Sequence, residues 1–193
     1  TVPIFNFHYA YPPDTVAMNF GLDRVIGDNE TGFRGTNDLP YRVEAWSFLL
    51  AGGGLFNHLD YSFVAGHEDG TFVYPNSQPG GGNPGFRRQM RILGDFLRGF
   101  DFIRMRPDPA VIAGGVPPRH RAYALVQPET AWAIYLARDT TDKQAPTGPQ
   151  TVMLDLSLPS GTYTVEWLNP QTSNTHPQKL EVKAGASPAR VQS

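Results

Sequence analysis

The chain has 193 residues, of which 40% are hydrophobic and 18% are charged, and its formal net charge is −2. This length and apolar content support a packed core in one generous domain or two modest ones, whereas the charge balance excludes a broad basic surface for nucleic acid. The sequence has no cysteine, so it forms neither a disulfide framework nor a thiolate metal cluster. We expect no membrane span, because no window approaches roughly 18 consecutive apolar residues, and the first residues do not have the basic start and cleavage site expected of a signal peptide.

Residues 1–100 alternate between short apolar segments, bounded by Pro and Gly, and longer amphipathic segments. The apolar segments predict buried strands, and the amphipathic ones predict helices. In chain order these are strand 2–9, helix 14–20, strand 22–27, helix 37–50, strand 55–59 and helix 83–97. The alternation predicts parallel β/α units. The long loop 60–83 is of a kind that is more often functional or mobile than structural.

After Pro107 the pattern changes to short strands separated by Pro, Gly, Asn and Asp turns. Apolar residues alternate with a period of two and no helix intervenes, which predicts a small antiparallel sandwich or barrel. The predicted strands are 123–126, 131–137, 152–156, 163–168 and 180–183. The fold class predicted for the whole chain is therefore α/β plus all-β, with domains at residues 1–104 and 105–193.

Three parallel β/α units do not easily cover both faces of their own sheet, although a parallel sheet is normally buried on both sides. We therefore expect the first domain to be the C-terminal part of a (β/α)₈ TIM barrel, with these units as its sixth, seventh and eighth. In such barrels the functional side chains lie at the C-terminal ends of the strands. The side chains at those places are His8 and Tyr9, then Asp28, Asn29 and Glu30, then Asn57 and His58.

This set of side chains suits sugar chemistry. A carboxylate attacks an anomeric carbon, while His, Tyr and Asn hold hydroxyl groups or the nucleophile by hydrogen bonds. Each residue also has a structural interpretation: Glu30 as a solvated loop carboxylate or a helix cap, Tyr9 as a packing residue, and both histidines as hydrogen-bonded structural groups. Arg42, one turn into its helix, either braces a loop or contacts a ligand.

No metal or cofactor is predicted. The run from His67 to Asp69 lacks the frame of a calcium loop and the His-Glu-x-x-His spacing of zinc enzymes, so we interpret it as a loop tip. The glycine-rich residues 80–85 lack the Lys-Ser/Thr ending of a phosphate loop. Their glycines are expected to provide flexibility.

Two segments resemble apiosidase-like glycoside hydrolases: residues 28–33 (DNETGF) and residues 41–54 (YRVEAWSFLLAGGG). Residues 102–108 (FIRMRPD) and 158–170 (LPSGTYTVEWLNP) are similar to the β-domain that follows this barrel and is named for collagen binding. The resemblance covers nearly the whole chain. It implies that Glu30 is the nucleophile of a retaining mechanism, and that the acid/base comes from the fourth barrel strand.

That fourth strand is not in this sequence, so the missing half of the barrel is expected upstream or on another chain. The substrate implied is a carbohydrate, and the resemblance favours a secreted or periplasmic protein. The residues expected to shape the sugar pocket are His8, Tyr9, Asn29, Arg42, His58 and Tyr61.

A second hypothesis comes from a different class of protein. The sandwich could attach the protein to a polysaccharide or another matrix polymer, with the barrel portion inert. Trp132 or Trp167 would then stack on sugar rings, although the alternation of its strand favours a core position for Trp167. A third hypothesis is an incomplete product without activity by itself.

Overall fold

The computed structural model describes residues 2–8, 14–141, 148, 150–185 and 188–193. The chain divides into two compact units, Thr1–Phe100 and Asp101–Ser193. The boundary predicted between residues 104 and 105 falls shortly after this division. Within the described ranges, no helix is long and apolar enough to cross a membrane.

The first unit contains a parallel three-stranded sheet in the order β1-β2-β3, with helices between and after its strands. The parallel pairing predicted from the strand and helix order is confirmed. The strands are β1 Ile4–Phe7, β2 Val25–Thr31 and β3 Leu55–His58, and the helices are α1 Asp14–Asn19, α2 Asp38–Leu50 and α3 Pro84–Arg98.

Both long helices begin at the predicted residues, because an asparagine caps each of them. The side chain of Asn37 accepts a hydrogen bond from the Leu39 amide at 3.0 Å, and that of Asn83 accepts one from the Phe86 amide at 2.8 Å. Each bond satisfies a backbone N–H that the first turn of a helix leaves without a partner. Phe48 on α2 is fully buried with Val16 and Ile26, so α2 packs its apolar side against the sheet.

The predicted limits of the second strand, residues 22–27, are wrong. Phe20–Leu22 forms a 3₁₀ turn that Asp23 ends in a left-handed conformation with φ of 52°, so β2 starts only at Val25 and continues to Thr31. Pairing with β3 continues to Thr31, beyond the last pair with β1 at Asp28, and it extends β2 through Asp28, Asn29 and Glu30, whose residue types have little intrinsic preference for strands. Asn29 and Glu30 therefore lie inside the strand, near its end, instead of after it.

The second unit consists of three small antiparallel sheets, in the orders β4-β6-β7, β11-β8-β5 and β10-β9. All five predicted strands are present. Three further strands, β4, β5 and β11, were not predicted because they are only two to four residues long and their pairing comes from neighbours distant in sequence. The bounds are β4 Arg106–Pro107, β5 Ile112–Gly114, β6 His120–Gln127, β7 Ala131–Arg138, β8 Met153–Leu156, β9 Gly161–Leu168, β10 Thr175–Val182 and β11 Ala189–Gln192.

Strands of all three sheets contribute to one buried core, which includes Ala124, Leu154 and Val182. Trp132 and Trp167 pack against this core, and the rings of Trp132 and Tyr163 form a T-shaped pair with 5.4 Å between ring centres. The core position that alternation favours for Trp167 is thus observed. Neither indole forms an isolated stacking platform.

Candidate functional site

A β-bulge in β2 decides which side chains near its end face the solvent. Asp28 pairs with Phe56 of β3, and the next pair joins Thr31 to His58. Between these two pairs β2 advances by three residues and β3 by only two. Asn29 and Glu30 lie between these two pairs and form the bulge. Bulges re-aim side chains in this way and recur beside active sites.

The consequence of the bulge is visible in burial and contacts. Asp28 and Thr31 are both buried, at 1% and 6% exposure, although strict alternation would place residues three apart on opposite faces. Glu44 of α2 interacts with both of them. Glu30 is only partly buried, with 21% of its side chain exposed, so its carboxylate is accessible to a ligand.

His8 connects the two residues of the bulge. Its Nε2 lies 2.5 Å from Oε2 of Glu30, and its Nδ1 lies 2.8 Å from Oδ1 of Asn29. A neutral imidazole ring donates to one of these oxygens, and a protonated ring donates to both. The Asn29 backbone carbonyl accepts a further hydrogen bond from the Asn57 side chain at 2.9 Å, which ties the bulge to β3. The structure thus brings together four of the residues that the sequence placed at one rim.

Asp28 precedes these residues in β2, and its environment is unusual. It is 1% exposed, and neither of its oxygens forms a hydrogen bond of regular geometry. Burial raises the pKa of Asp28 to about 7 and the negative charge of Glu44 adds to the rise, while the Glu30 backbone N–H, His8 and Arg34 oppose it. Below that pH this carboxyl group holds a proton inside the unit, two residues from Glu30.

Glu44 is a second buried acid that sequence reasoning missed. Its Oε2 accepts a hydrogen bond from the Thr31 hydroxyl at 3.0 Å, and its Oε1 lies 3.4 Å from the guanidinium of Arg34. Burial raises the pKa of Glu44, against the opposing effects of Arg34 and Thr31. The signal was an acid within the apolar run YRVEAWSFLL, because a charge on the buried side of a helix requires partners.

His58 lies between two aromatic rings, at 4.4 Å from Tyr41 and 4.7 Å from Phe86 between ring centres. Both ring nitrogens are buried without a hydrogen-bond partner. Burial lowers the pKa of His58 to about 4, although Asp60 favours the charged form, so the ring is neutral at physiological pH. The predicted contact with a sugar stays a prediction, and in this structure the ring packs inside the unit.

Arg42 connects the two long helices. Its guanidinium donates to the side chain of Gln89 on α3, and Gln89 donates in turn to Asp38 at the start of α2, at 2.9 Å. Asp38 also accepts from the α3 cap residue Asn83 at 2.7 Å. This network holds the N-terminal ends of α2 and α3 together, and a sugar contact of Arg42 stays a prediction.

Tyr61 lies near the end of β2, with its ring edge-on to Phe33 at 6.3 Å between ring centres. Its amide donates to the Gly81 carbonyl at 3.0 Å, which joins the two ends of the loop 60–83. Tyr9, the remaining residue of the predicted pocket, lies outside the residues that the structure describes.

Arg87 on α3 forms hydrogen bonds with the loop that follows β3. Its Nη1 donates to Asp60 at 2.7 Å and to Ser62 at 2.8 Å, and its Nη2 donates to the Gly70 carbonyl at 3.0 Å. The guanidinium also lies 4.9 Å from the centre of the Phe63 ring. One side chain therefore fixes three points of the loop.

Replacing Arg87 with Ala is expected to loosen this loop. Hydrogen bonds to charged groups are each worth about 1.5–3 kcal/mol, so the Phe72 amide, which donates to the Ser62 carbonyl, should exchange its hydrogen about tenfold faster or more. Hydrogen-exchange NMR measures this rate. The exposed neighbour Arg88, replaced with Ala, is the control, and equal rates in the two variants would show that Arg87 does not hold the loop.

The described residues contain no group of three or more His, Asp or Glu side chains that could hold a metal ion. The segment considered for metal binding makes local contacts: His67 Nδ1 lies 3.1 Å from the Thr71 hydroxyl, and that hydroxyl donates to Asp69 at 2.7 Å. It has the geometry of a loop tip.

The comparison with solved structures found glycoside hydrolases. One is a glycoside hydrolase family 5 protein from Bacteroides vulgatus, with a TM-score of 0.56 and 14% identity over 88% of this chain and 38% of that chain. Another, described as a glycoside hydrolase, has a TM-score of 0.48 and 16% identity over 88% of this chain and 42% of that one. No family model matches the sequence, and no curated protein matches it.

The chain therefore has a fold like part of a glycoside hydrolase family 5 structure, and it spans less than half the length of these two relatives. At 14% identity the likeness concerns the fold alone, and a fold by itself does not carry an activity. The closer relationship to apiosidase-like enzymes stays a resemblance of the sequence.

Proposed function

We propose that this chain is part of a retaining glycoside hydrolase and that Glu30 is its nucleophile. The observation that carries the proposal is the position of Glu30: a partly exposed carboxylate in a bulge near the carboxyl end of a parallel strand, 2.5 Å from the imidazole of His8. Catalytic side chains of β/α barrels lie at this end of their strands. The fold likeness to a glycoside hydrolase supports the class of reaction.

In this proposal the first unit is the C-terminal part of a (β/α)₈ barrel, and β1, β2 and β3 are its sixth, seventh and eighth strands. The parallel order of the sheet supports this assignment, and so does the share of the family 5 structure that the chain spans. The second unit is a small β-sandwich, which its shared core of antiparallel strands supports.

The mechanism is a double displacement. An oxygen of Glu30 attacks the anomeric carbon, the glycosidic bond breaks, and an acid protonates the departing oxygen; water then attacks the same carbon, gives its proton to that acid in its basic form, and releases Glu30. The two carboxyl groups stand about 5–5.5 Å apart in retaining enzymes. The acid/base is proposed to come from the rest of the barrel, upstream or on another chain.

A covalent intermediate is the direct test. In a protein that carries these residues within a complete barrel, a 2-deoxy-2-fluoro glycoside with a good leaving group should label Glu30, because the fluorine slows hydrolysis of the glycosyl-enzyme. Peptide mass spectrometry locates the label. A label on another carboxylate would remove Glu30 from the role of nucleophile, and turnover with inverted product configuration would exclude the mechanism.

His8 is proposed to position Glu30 through the contact at 2.5 Å. Replacing His8 with Ala should lower kcat by about a hundredfold, since a small misplacement of a reacting group costs about that much, while KM changes little. The exposed His176 on β10, replaced with Ala, is the matched control. A change confined to KM would instead assign His8 to substrate binding.

The binding-module hypothesis for the second unit has less support. Trp132 and Trp167, the aromatic residues considered for sugar stacking, pack against the core of the unit. We retain a carbohydrate as the partner proposed for the first unit. Secretion or a periplasmic location is proposed on the resemblance of the sequence only.

A further inference from the structure

The loop after β3 forms an open cleft that no part of the mechanism uses. The cleft has a volume of about 310 Å³ and lies within residues 59–78. It is lined by the aromatic residues Tyr61, Phe63, Phe72 and Tyr74 and by the polar residues Asp60 and Gln78, among others. We call it the loop cleft.

The loop cleft is held open by hydrogen bonds on several sides. Asp60 receives bonds from Ser62 and Arg87, the Phe72 amide donates to the Ser62 carbonyl at 3.2 Å, and the Tyr74 hydroxyl donates to the Gly82 carbonyl. A site whose walls are fixed before binding loses little conformational entropy when a ligand enters. The loop cleft therefore has the hydrogen-bonded walls that favour binding of a ligand.

The size and chemistry of the loop cleft suit a small ligand that has one apolar face and also carries hydrogen-bonding groups. A volume of about 310 Å³ lies at the lower end of the range for ligand pockets, which suits a small ligand. Aromatic rings suit a flat apolar face, and Phe63 keeps 46% of its surface exposed. Asp60 supplies a hydrogen-bond acceptor: burial would raise its pKa, but the bonds from Ser62 and Arg87 outweigh that effect and hold the pKa below its usual value.

A sugar ring has these properties, because it presents C–H groups on one face and hydroxyl groups around its edge. The hydroxyl groups would bond to the Asp60 carboxylate and the Gln78 amide while the face packs on the aromatic rings. The cleft also adjoins the candidate active site. The Leu59 amide donates to the Thr31 carbonyl at 2.8 Å, and Tyr61 contacts Phe33, three residues after Glu30.

We propose that the loop cleft binds one sugar ring of an oligosaccharide, separately from the ring that reacts at Glu30. The choice of a sugar rests on the proposed function, whereas the cleft and its walls do not. The loop cleft would thereby select substrates by a sugar unit beside the cleaved bond.

The test is binding of cellotetraose, xylotetraose and mannotetraose to the ¹⁵N-labelled 193-residue chain, followed by NMR. At least one of them should shift the amide signals of residues 59–78. Replacing Phe72 with Ala should weaken that binding about tenfold, as expected for the loss of a large apolar contact. The control is Val73→Ala, since Val73 is 90% exposed and does not line the cleft.

Binding and catalysis are separated by Glu30→Gln, which should leave the shifts of residues 59–78 unchanged. If the complete protein has no hydrolase activity but the loop cleft still binds the oligosaccharide, the proposed function is wrong and the proposal of a sugar-binding cleft is retained. Shifts confined to residues around Glu30, or no shifts with any of the three oligosaccharides, would contradict the proposal that the loop cleft binds a sugar ring. Should Phe72→Ala fail to fold, Gln78→Ala takes its place, with a severalfold loss of affinity expected and an unchanged affinity counting against the proposal.

Discussion

Glu30→Gln is expected to lower kcat on the order of a thousandfold or more in a protein that carries these residues within a complete barrel. The amide keeps the size of the side chain but no longer attacks the anomeric carbon, and removal of a nucleophile is among the most costly changes in enzyme kinetics. Steady-state kinetics with an aryl glycoside measures the loss. The exposed loop residue Glu68, replaced with Gln, is the control.

Azide distinguishes the nucleophile from the acid/base. In Glu30→Ala, azide should enter from the side that the carboxylate vacates and restore release of the aryl group, giving a glycosyl azide of inverted anomeric configuration. An acid/base variant would instead give the retained azide, because its glycosyl-enzyme still forms. A wild-type rate in Glu30→Gln would contradict the assignment of Glu30 as the nucleophile. A glycosyl azide of retained configuration from Glu30→Ala would instead identify Glu30 as the acid/base.

Asp28→Asn is expected to change how the stability of the first unit depends on pH. The folded pKa of Asp28 is about 7, above the ordinary 3.8, so the folded state binds more protons than the unfolded state between these values. Stability therefore falls as pH rises through this window, by up to about 4 kcal/mol for a shift of this size. Asn does not ionise, so relative to the wild type the variant should gain stability between pH 4 and pH 8.

Urea unfolding followed by Trp46 fluorescence measures this difference, with Trp132 and Trp167 replaced by Phe in all proteins. Titrating groups that do not interact with Asp28 cancel because both proteins carry them, whereas Glu44, which interacts with Asp28, contributes to the difference. Asp60→Asn is a control of opposite sign: its folded pKa is lowered, so Asp60 stabilises the fold above its unfolded pKa, and the variant should lose stability at pH 8. Parallel pH curves for the wild type and Asp28→Asn would show that Asp28 ionises normally.

The helices were predictable because their determinants are local. Asn83 followed by Pro84 sets the start of α3, and Asn37 sets that of α2; a cap acts on amides two or three residues away, within reach of a pattern in the sequence. The parallel pairing of the sheet also follows from the order of strands and helices. These features place Glu30 near the carboxyl end of a strand before any coordinates are known.

The ends of short strands were not predictable. β2 extends to Thr31 because β3 pairs with it there, whereas its pairing with β1 ends at Asp28. Asp28, Asn29 and Glu30 are of residue types that are depleted in strands. The two-residue strand Arg106–Pro107 exists only through its pairing with β6. Such pairing depends on chain segments that are remote in sequence.

The sequence by itself determined the type of each long element, the change from β/α units to antiparallel strands, and the acids and imidazoles near the ends of the parallel strands. Only the tertiary structure decided how these side chains are used. One extra residue in β2 separates the buried Asp28 from the accessible Glu30, and packing between Tyr41 and Phe86 encloses His58. Register, burial and desolvation are collective properties of the folded chain, because each arises from contacts between residues far apart in sequence.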